Sequence, residues 1–293
     1  MEEFSRFGPW AELALGSVAA AMRRVRELAG RGTEVVQQRP AGYRTFDPEI
    51  IRADLAAEEA ILDHLKRSGA RAVVLTEEAG RVRLEGDPER SFGGIEDGYV
   101  VIDPFDGSAL YRRQLPAFWY SCIGLYGSDG EPRAAAVADL LAETIDFCND
   151  QASYTGRLDG GALDSSERLQ PSEVTDLREA YLSIFVMKPD YMYPTVVKYM
   201  PLLRGCRYIF ANGGPASFSD VAHGRLDVYI GVKEAATEVF TGLPIALRAG
   251  CPVTTFEGSP IRFHDDIDAT YGFVCSANQR LHEQVLYHLS RIK

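Results

Sequence analysis

The run Tyr99-Val100-Val101-Ile102-Asp103-Pro104-Phe105-Asp106-Gly107-Ser108 decides the reading of this chain. Its apolar first half reads as a buried strand, and its second half as a tight turn at the strand end. Pro104 fixes the chain direction after Asp103, and Gly107 allows a sharp turn with close backbone approach. Such a turn can put both carboxylates and the Phe105 carbonyl on one side. Upstream, a second apolar run, Ala72-Val73-Val74-Leu75, ends in Thr76-Glu77-Glu78. Carboxylates gathered at strand ends suit hard divalent cations, and two such cations side by side make a phosphoester-cleaving site. The plain alternative is a surface turn, because Asp-Pro and Asp-Gly are common turn pairs. The second strand ending in Glu77-Glu78 favours the site.

The rest of the composition limits the class. The 293 residues suit one large domain or two fused halves, and an apolar share of 46% supports a sizeable core. A net charge of -11 argues against a general binder of nucleic acid or membrane surface. An acidic protein can still hold an anionic substrate where metal ions supply the positive charge. The five cysteines, at 122, 148, 206, 251 and 275, form no C-x-x-C pair and are odd in number. They read as reduced thiols of a cytoplasmic protein rather than a disulfide framework or zinc site. The start Met1-Glu2-Glu3 has the wrong charge for a secretory signal, and the apolar patch from Trp10 to Met22 is too short to span a membrane.

Along the chain, periodicity predicts a helix from Pro9 to Leu28, a strand at Glu34 to Arg39, a loop from Pro40 to Asp47 and a second helix from Pro48. Ile51, Leu55, Leu62 and Leu65 share a face of that helix, with Asp54 at its edge. Glu85 to Asp97 reads as a polar, mobile loop. Strands are expected at Phe118–Tyr126, Ala134–Leu140, Thr144–Cys148, Ala180–Met187, Arg207–Phe210, Leu226–Val232 and Tyr271–Cys275. Helices are expected at Tyr191–Leu203, Gly213–Ala222, Glu238–Ala249 and Ala277–Ile292. Strands and helices mix without strict alternation, which predicts a layered α/β or α+β fold. The predicted split into halves, 1–150 with the metal loop and 151–293 with the later motifs, lies near the Gly-, Ser- and Asp-rich stretch from Asp150 to Ser172.

Leu75-Thr76-Glu77-Glu78 followed by Val101-Ile102-Asp103-Pro104-Phe105-Asp106-Gly107-Ser108 resembles the inositol monophosphatase and fructose bisphosphatase superfamily. Its signature is a Glu-Glu pair, then Asp-Pro-(Ile/Leu)-Asp-Gly-(Thr/Ser). The stretch Ala222-His223-Gly224-Arg225-Leu226-Asp227-Val228-Tyr229 is similar to the superfamily's "GrxD" segment. Eleven residues past Asp227, where its members usually carry Trp-Asp, stands Thr237-Glu238, and the helix then closes at Ala249-Gly250, like the "EAGG" end.

The resemblance implies an αβαβα sandwich of two closely packed halves and a Mg²⁺-dependent, lithium-sensitive phosphatase with two or three ions, Mn²⁺ being an alternative. It implies that Glu77, Asp103 and the Phe105 carbonyl bind one ion and that Asp103, Asp106 and Glu238 bind a second. It further implies that Asp54 and Ser108 polarise the attacking water and that Asp106, Gly107 and Ser108 meet the substrate phosphate. A homodimer acting on a small phosphorylated metabolite is the implied partner state, with no nucleic acid or membrane.

Several positions depart from the pattern. Glu238 replaces Asp; Gly231 stands where inositol enzymes carry a Glu that contacts substrate hydroxyls, with Lys233 and Glu234 close by; and Leu110 replaces an Asn. Cys206-Arg207-Tyr208-Ile209 is similar to a fructose bisphosphatase segment, which makes Arg207, Tyr208 and Lys233 candidates for a second anionic group. Arg112 and Arg113 are candidate rim residues. The leading expectation is a phosphatase of a small sugar or cyclitol phosphate, a sugar phosphate or bisphosphate ahead of inositol phosphate. The alternatives are a nucleotide 3′-phosphatase, a non-catalytic homologue binding a phosphorylated ligand, and a Mg²⁺-binding structural subunit.

Overall fold

A computed structural model describes residues 4–39, 49–86, 98–159 and 162–292. Helix α1 (Pro9–Glu27) leads to a small antiparallel ribbon of β1 (Val35–Gln38) and β2 (Glu49–Ile51), then α2 (Arg52–Arg67). An eight-stranded sheet follows, from β3 (Arg71–Thr76), β4 (Gly80–Glu85), β5 (Gly98–Asp106), β6 (Tyr120–Tyr126), β7 (Pro132–Asp139), β8 (Thr144–Cys148), β9 (Ser153–Asp159) and β10 (Ala162–Arg168). Its order is β10-β9-β8-β7-β6-β5-β3-β4, antiparallel throughout except between β3 and β5. The short α3 (Ser108–Arg112) leaves the end of β5.

The second sheet has the order β12-β11-β13-β15-β14. It comprises β11 (Tyr181–Ile184), β12 (Tyr208–Phe210), β13 (Val228–Ala235), β14 (Val253–Thr254) and β15 (Thr270–Ser276). Helices α4 (Pro189–Leu203), α5 (Gly214–Ala222), α6 (Ala236–Ala249) and α7 (Gln279–Leu289) complete the chain. Helices α1 and α2 cover one face of the large sheet, α5 and α6 lie between the two sheets, and α4 and α7 cover the far face of the small one. The result is the expected five-layer α/β sandwich.

Each interlayer space has its own apolar filling. Leu13, Leu15, Ile61 and Ile123 fill the first, Phe218, Phe240 and Phe273 the second, and Leu182, Ile184 and Leu281 the third. Strand β5 is therefore buried on both faces, which is why its sequence is continuously apolar rather than alternating.

Helix α6 is seated with unusual closeness. Pro244 inside it has no N–H for the carbonyl four residues back. The Tyr126 hydroxyl of β6 donates to that Phe240 carbonyl instead, at 2.7 Å. At its C-terminal half the Ser153 hydroxyl donates to the Ile245 carbonyl at 2.6 Å. The helix is thus tied to two strands of the large sheet while it packs on the small one.

Three expectations need comment. The loop from Pro40 to Asp47 and the helix start at Pro48 fall outside the described residues, as does most of Glu85–Asp97. The helix itself begins at Arg52, because Glu49–Ile51 pairs with β1 as a strand. The stretch 150–172, near which the sequence places a split into halves, holds the β9–β10 hairpin. All five cysteines are free, and no helix among the described residues is long and apolar enough to cross a membrane.

Candidate active site

Strand register brings the two carboxylate motifs together. Strands β3 and β5 run parallel with Thr76 opposite Ile102, so Glu77 and Asp103 leave adjacent strands at the same level. In the β5–β6 pairing Asp103 faces Cys122 and Asp106 faces Tyr120, three residues against two. That is a β-bulge, and it falls on Pro104, which has no N–H for the ladder. In a regular strand residues three apart point to opposite faces. The extra residue restores Asp103 and Asp106 to one side.

The turn after β5 depends on Gly107 at φ 89°, where a Cβ would also overlap the Phe118 carbonyl. From the side of the other sheet comes Glu238, in the first turn of α6, whose Oε2 accepts from the Ala235 N–H at 3.2 Å. Its carboxylate both caps its own helix and joins the cluster. One carboxylate oxygen from each of Asp103, Asp106 and Glu238 lies within 4.8 Å of the others. Gly214, at φ 74°, brings α5 against them: a Cβ there would meet Asp106 Oδ2 at 2.9 Å.

These carboxylates line a cavity of about 250 Å³. Glu77, Asp103, Phe105, Asp106, Gly107, Ser108, Glu234 and Glu238 form its acidic end, and Phe118, Phe185, Met187, Lys188, Asn212 and Gly213 stand among the rest of its wall. Burial, with Glu77, Asp106 and Glu238 alongside, pushes the Asp103 carboxyl well above the usual range. Burial and Glu238 do the same for Asp106. Asp103 Oδ1 is buried with no hydrogen-bond partner. An all-oxygen donor set of mutually repelling, desolvated carboxylates fits a hard divalent cation, which would supply the missing charge.

Asp54 is 1% exposed and sits behind this end, outside the cavity lining. Its Oδ2 accepts from the Ile51 N–H at 2.8 Å, while Oδ1 is buried without a partner. Burial and the nearby Glu78 raise its carboxyl well above the ordinary value. Ser108 borders both the main cavity and a second cleft shared with Glu49 and Ile51, which links it to the start of α2.

Two supporting residues lie outside the motifs. Arg39 is buried, with Nη2 at 2.6 Å from Glu78 and 3.3 Å from Glu77. Burial still pushes the Glu78 carboxyl up to about 8, with Glu77 adding to it. Glu58, one turn beyond Asp54 on α2, accepts from the Thr76 hydroxyl at 2.5 Å and from the Ala79 N–H at 3.0 Å. It therefore pins the turn that carries Glu77 and Glu78. The (i, i+4) spacing of two acids beside an apolar stripe was the available signal for Glu58. Arg39 had none, because its partners lie 39 residues away.

Other predicted positions are elsewhere. Arg207 pairs with Glu179 at 2.5 Å in solvent, and Tyr208 is 64% exposed and stacked on Tyr181. Lys233 is exposed. None of the three lines the cavity. Arg112 pairs with Glu49 beside the second cleft. Asp227 is buried and structural, accepting from the Tyr181 N–H at 2.7 Å and from the Ser172 hydroxyl.

The pattern that defines the inositol monophosphatase family matches residues 8–293. The chain belongs to that family. A fructose-1,6-bisphosphatase/inositol-1-monophosphatase of Archaeoglobus fulgidus is 28% identical over 279 residues, which is 91% of this chain and 96% of the relative. A histidinol-phosphatase of Streptomyces coelicolor is 27% identical over 246 residues, 83% of this chain and 84% of the relative. In fold, the crystal structure of an extragenic suppressor protein from Bartonella henselae superposes with a TM-score of 0.74 at 17% identity, over 95% of this chain and 97% of that one. This member of the inositol monophosphatase family is a phosphatase, a phosphoric monoester hydrolase. The family is metal-dependent, and Asp103, Asp106 and Glu238 form the clustered acidic group such a phosphatase needs.

Proposed function

We propose that this phosphatase uses Mg²⁺, with Mn²⁺ as a substitute, to hydrolyse a small sugar or cyclitol phosphate monoester. The observation that carries this reading is the convergence of Asp103, Asp106 and Glu238 within 4.8 Å in the lining of one cavity. Glu77, Asp103 and the Phe105 carbonyl would hold one ion, and Asp103, Asp106 and Glu238 a second. When bound, the ions offset charge on the phosphoryl group and on the leaving oxygen. Asp54 and Ser108 orient the attacking water, with Asp54 as the acceptor of its proton. The water attacks phosphorus in line, opposite the leaving oxygen. Gly107, the residue before α3, and Ser108, its first residue, cradle the phosphate.

The acting form is a cytoplasmic homodimer. Free cysteines support the compartment. Exposed apolar side chains on the edge strand β12, Tyr208, Ile209 and Phe210, and on α4, Tyr193 and Val197, support self-association. Sedimentation of the purified chain tests this, and a monomer at micromolar concentration removes it.

The test of the activity is phosphate release from inositol 1-phosphate, fructose 1,6-bisphosphate, histidinol phosphate and adenosine 3′,5′-bisphosphate with Mg²⁺, beside Asp103→Asn and Glu238→Ala. Turnover lost in both variants is expected. Preference for the adenosine ester assigns a nucleotide 3′-phosphatase. Metal-dependent release from none of them overturns the reading in favour of a non-catalytic ligand-binding member.

A further inference from the structure

Away from its carboxylates the cavity is walled largely by apolar side chains. Leu110 on α3, Phe118 ahead of β6, and Phe185 and Met187 after β11 all line it, and none of the four is fully buried. Lys188 and Asn212 are the polar side chains on that part of the wall. Leu110 and Phe118 come from the side of the large sheet, next to the strand that carries Asp103 and Asp106. Phe185 and Met187 follow a strand of the small sheet. The apolar wall is therefore assembled from both sheets, as the acidic end is.

Both rings of that wall are held in place by their surroundings. Phe118 has φ 58°, a left-handed conformation that is an outlier for a bulky residue. Its carbonyl lies against Gly107, where a Cβ would come within 1.7 Å of it, so the turn that shapes the metal loop also sets Phe118. The Phe118 ring meets Phe210 of β12 edge to face, with centroids 5.7 Å apart. Phe185 meets Tyr191 of α4 edge to face at 5.5 Å, and its Cβ lies so close to Gly213 that a Cβ there would be 2.9 Å away. Strained backbone of this kind persists only where the surrounding structure over-determines it, and it clusters at ligand clamps. Side chains fixed before a ligand arrives lose little freedom when it binds.

We propose that Phe118 and Phe185 are specificity-determining residues that pack a flat aromatic or heteroaromatic ring borne by the sugar of the phosphate ester. The site then favours a ring-bearing sugar phosphate over a bare polyol phosphate. This deepens the phosphatase reading and rests on it. The phosphoryl group sits at the acidic end, and the ring packs at the apolar one. Hydroxyl groups taken out of water need hydrogen-bond partners, and Leu110, Phe118, Phe185 and Met187 offer none. A flat ring has apolar faces that pack on phenylalanine without that cost, in stacked or edge-to-face arrangement.

The experiment compares adenosine 5′-monophosphate with ribose 5-phosphate, the same phosphorylated sugar with and without a flat ring. Wild type, Phe118→Leu, Phe185→Leu and Phe118→Tyr are assayed with Mg²⁺. Wild type is expected to favour the adenosine ester in kcat/KM by about tenfold or more, the scale of one base stacked on an aromatic side chain. The preference should shrink several-fold in each leucine variant and persist in Phe118→Tyr, which keeps the ring. Benzyl phosphate and cyclohexylmethyl phosphate separate flatness from bulk: preference for the flat ester is expected, and equal use of the two overturns the ring assignment. Release from both sugar esters without preference, or a preference that both leucine variants leave intact, overturns the proposal and leaves the phosphatase reading standing. Calorimetry of each ester with Ca²⁺ in place of Mg²⁺ runs alongside. Tighter binding of the adenosine ester that the leucine variants lose, with release from no ester, sustains the ring wall and overturns the phosphatase reading alone. Thermal unfolding of the variants separates either result from misfolding.

Discussion

The Tyr126 hydroxyl donates to the Phe240 carbonyl at 2.7 Å, supplying the bond that Pro244 leaves unmade inside α6. A fully buried tyrosine from the large sheet thereby stands in for a helical N–H. Tyr126→Phe keeps the ring and strands the carbonyl, so it is expected to cost about 1–3 kcal/mol. The variant should show a lower urea midpoint with an unchanged slope. Because Phe240 lies two residues after Glu238 on α6, a fall in Mg²⁺ affinity should accompany it.

Asp103 is buried among other carboxylates, so the metal-free fold carries a repulsion that ligand binding relieves. Asp103→Asn is expected to raise the melting temperature of the metal-free protein and to abolish the further rise on adding Mg²⁺. Turnover should drop by about 100-fold or more, given that even outer-shell partners of a metal cost about 10–100-fold. Differential scanning calorimetry with chelator and with Mg²⁺ checks both halves of the statement.

Arg39 is the buried cation against Glu77 and Glu78. Removing one partner of a buried ion group costs about 3–5 kcal/mol, because the other charge is left uncompensated. Arg39→Gln should therefore destabilise the metal-free protein by that order in denaturant titration. Millimolar Mg²⁺ should recover part of the loss, since a cation at Glu77 meets the same carboxylates. A variant as stable as wild type would show that Arg39 contributes nothing there.

His64 lies at the packed α1–α2 contact, and burial pulls its imidazole down to about 4 from 6.5, with Arg67 and Arg23 adding to the effect. Between those values the unfolded chain binds the proton and the folded one does not. Stability is thus complete above about pH 6.5 and declines as pH falls toward about 4, by about 3 kcal/mol. His64→Gln should flatten that part of the stability–pH curve, measured by urea unfolding at fixed temperature. A variant retaining the full wild-type slope would assign the decline to other groups.

Much of this was legible in the residues. The apolar runs ending in Glu77-Glu78 and in the Asp103–Ser108 turn gave the strands, and the structure brings Glu77, Asp103, Asp106, Ser108 and Glu238 to one cavity. Helix ends followed from Pro9, Gly250 and the apolar stripes. Strand β10 was missed because its face is largely solvent, leaving a polar run, Asp164-Ser165-Ser166-Glu167-Arg168, without alternation. Strand β4 carried the period-two signal in Val82 and Leu84, but in a run of only six residues. The two bulges, at Pro104 and at Lys233, are properties of register against β6 and β15, which no local pattern states. For that reason the conversion of Glu234 into a cavity residue, and the solvent position of Lys233, Arg207 and Tyr208, needed the fold.

The acidic cavity draws Asp103 and Asp106 from the eight-stranded sheet and Glu234 and Glu238 from the β13–α6 junction of the five-stranded one. An ion seated among them is a rivet across a seam as much as a reagent. With it, Asp103, Asp106 and Glu238 would share positive charge across the two sheets; without it, the same acids repel one another. Cation supply then becomes a mechanical variable as well as a chemical one.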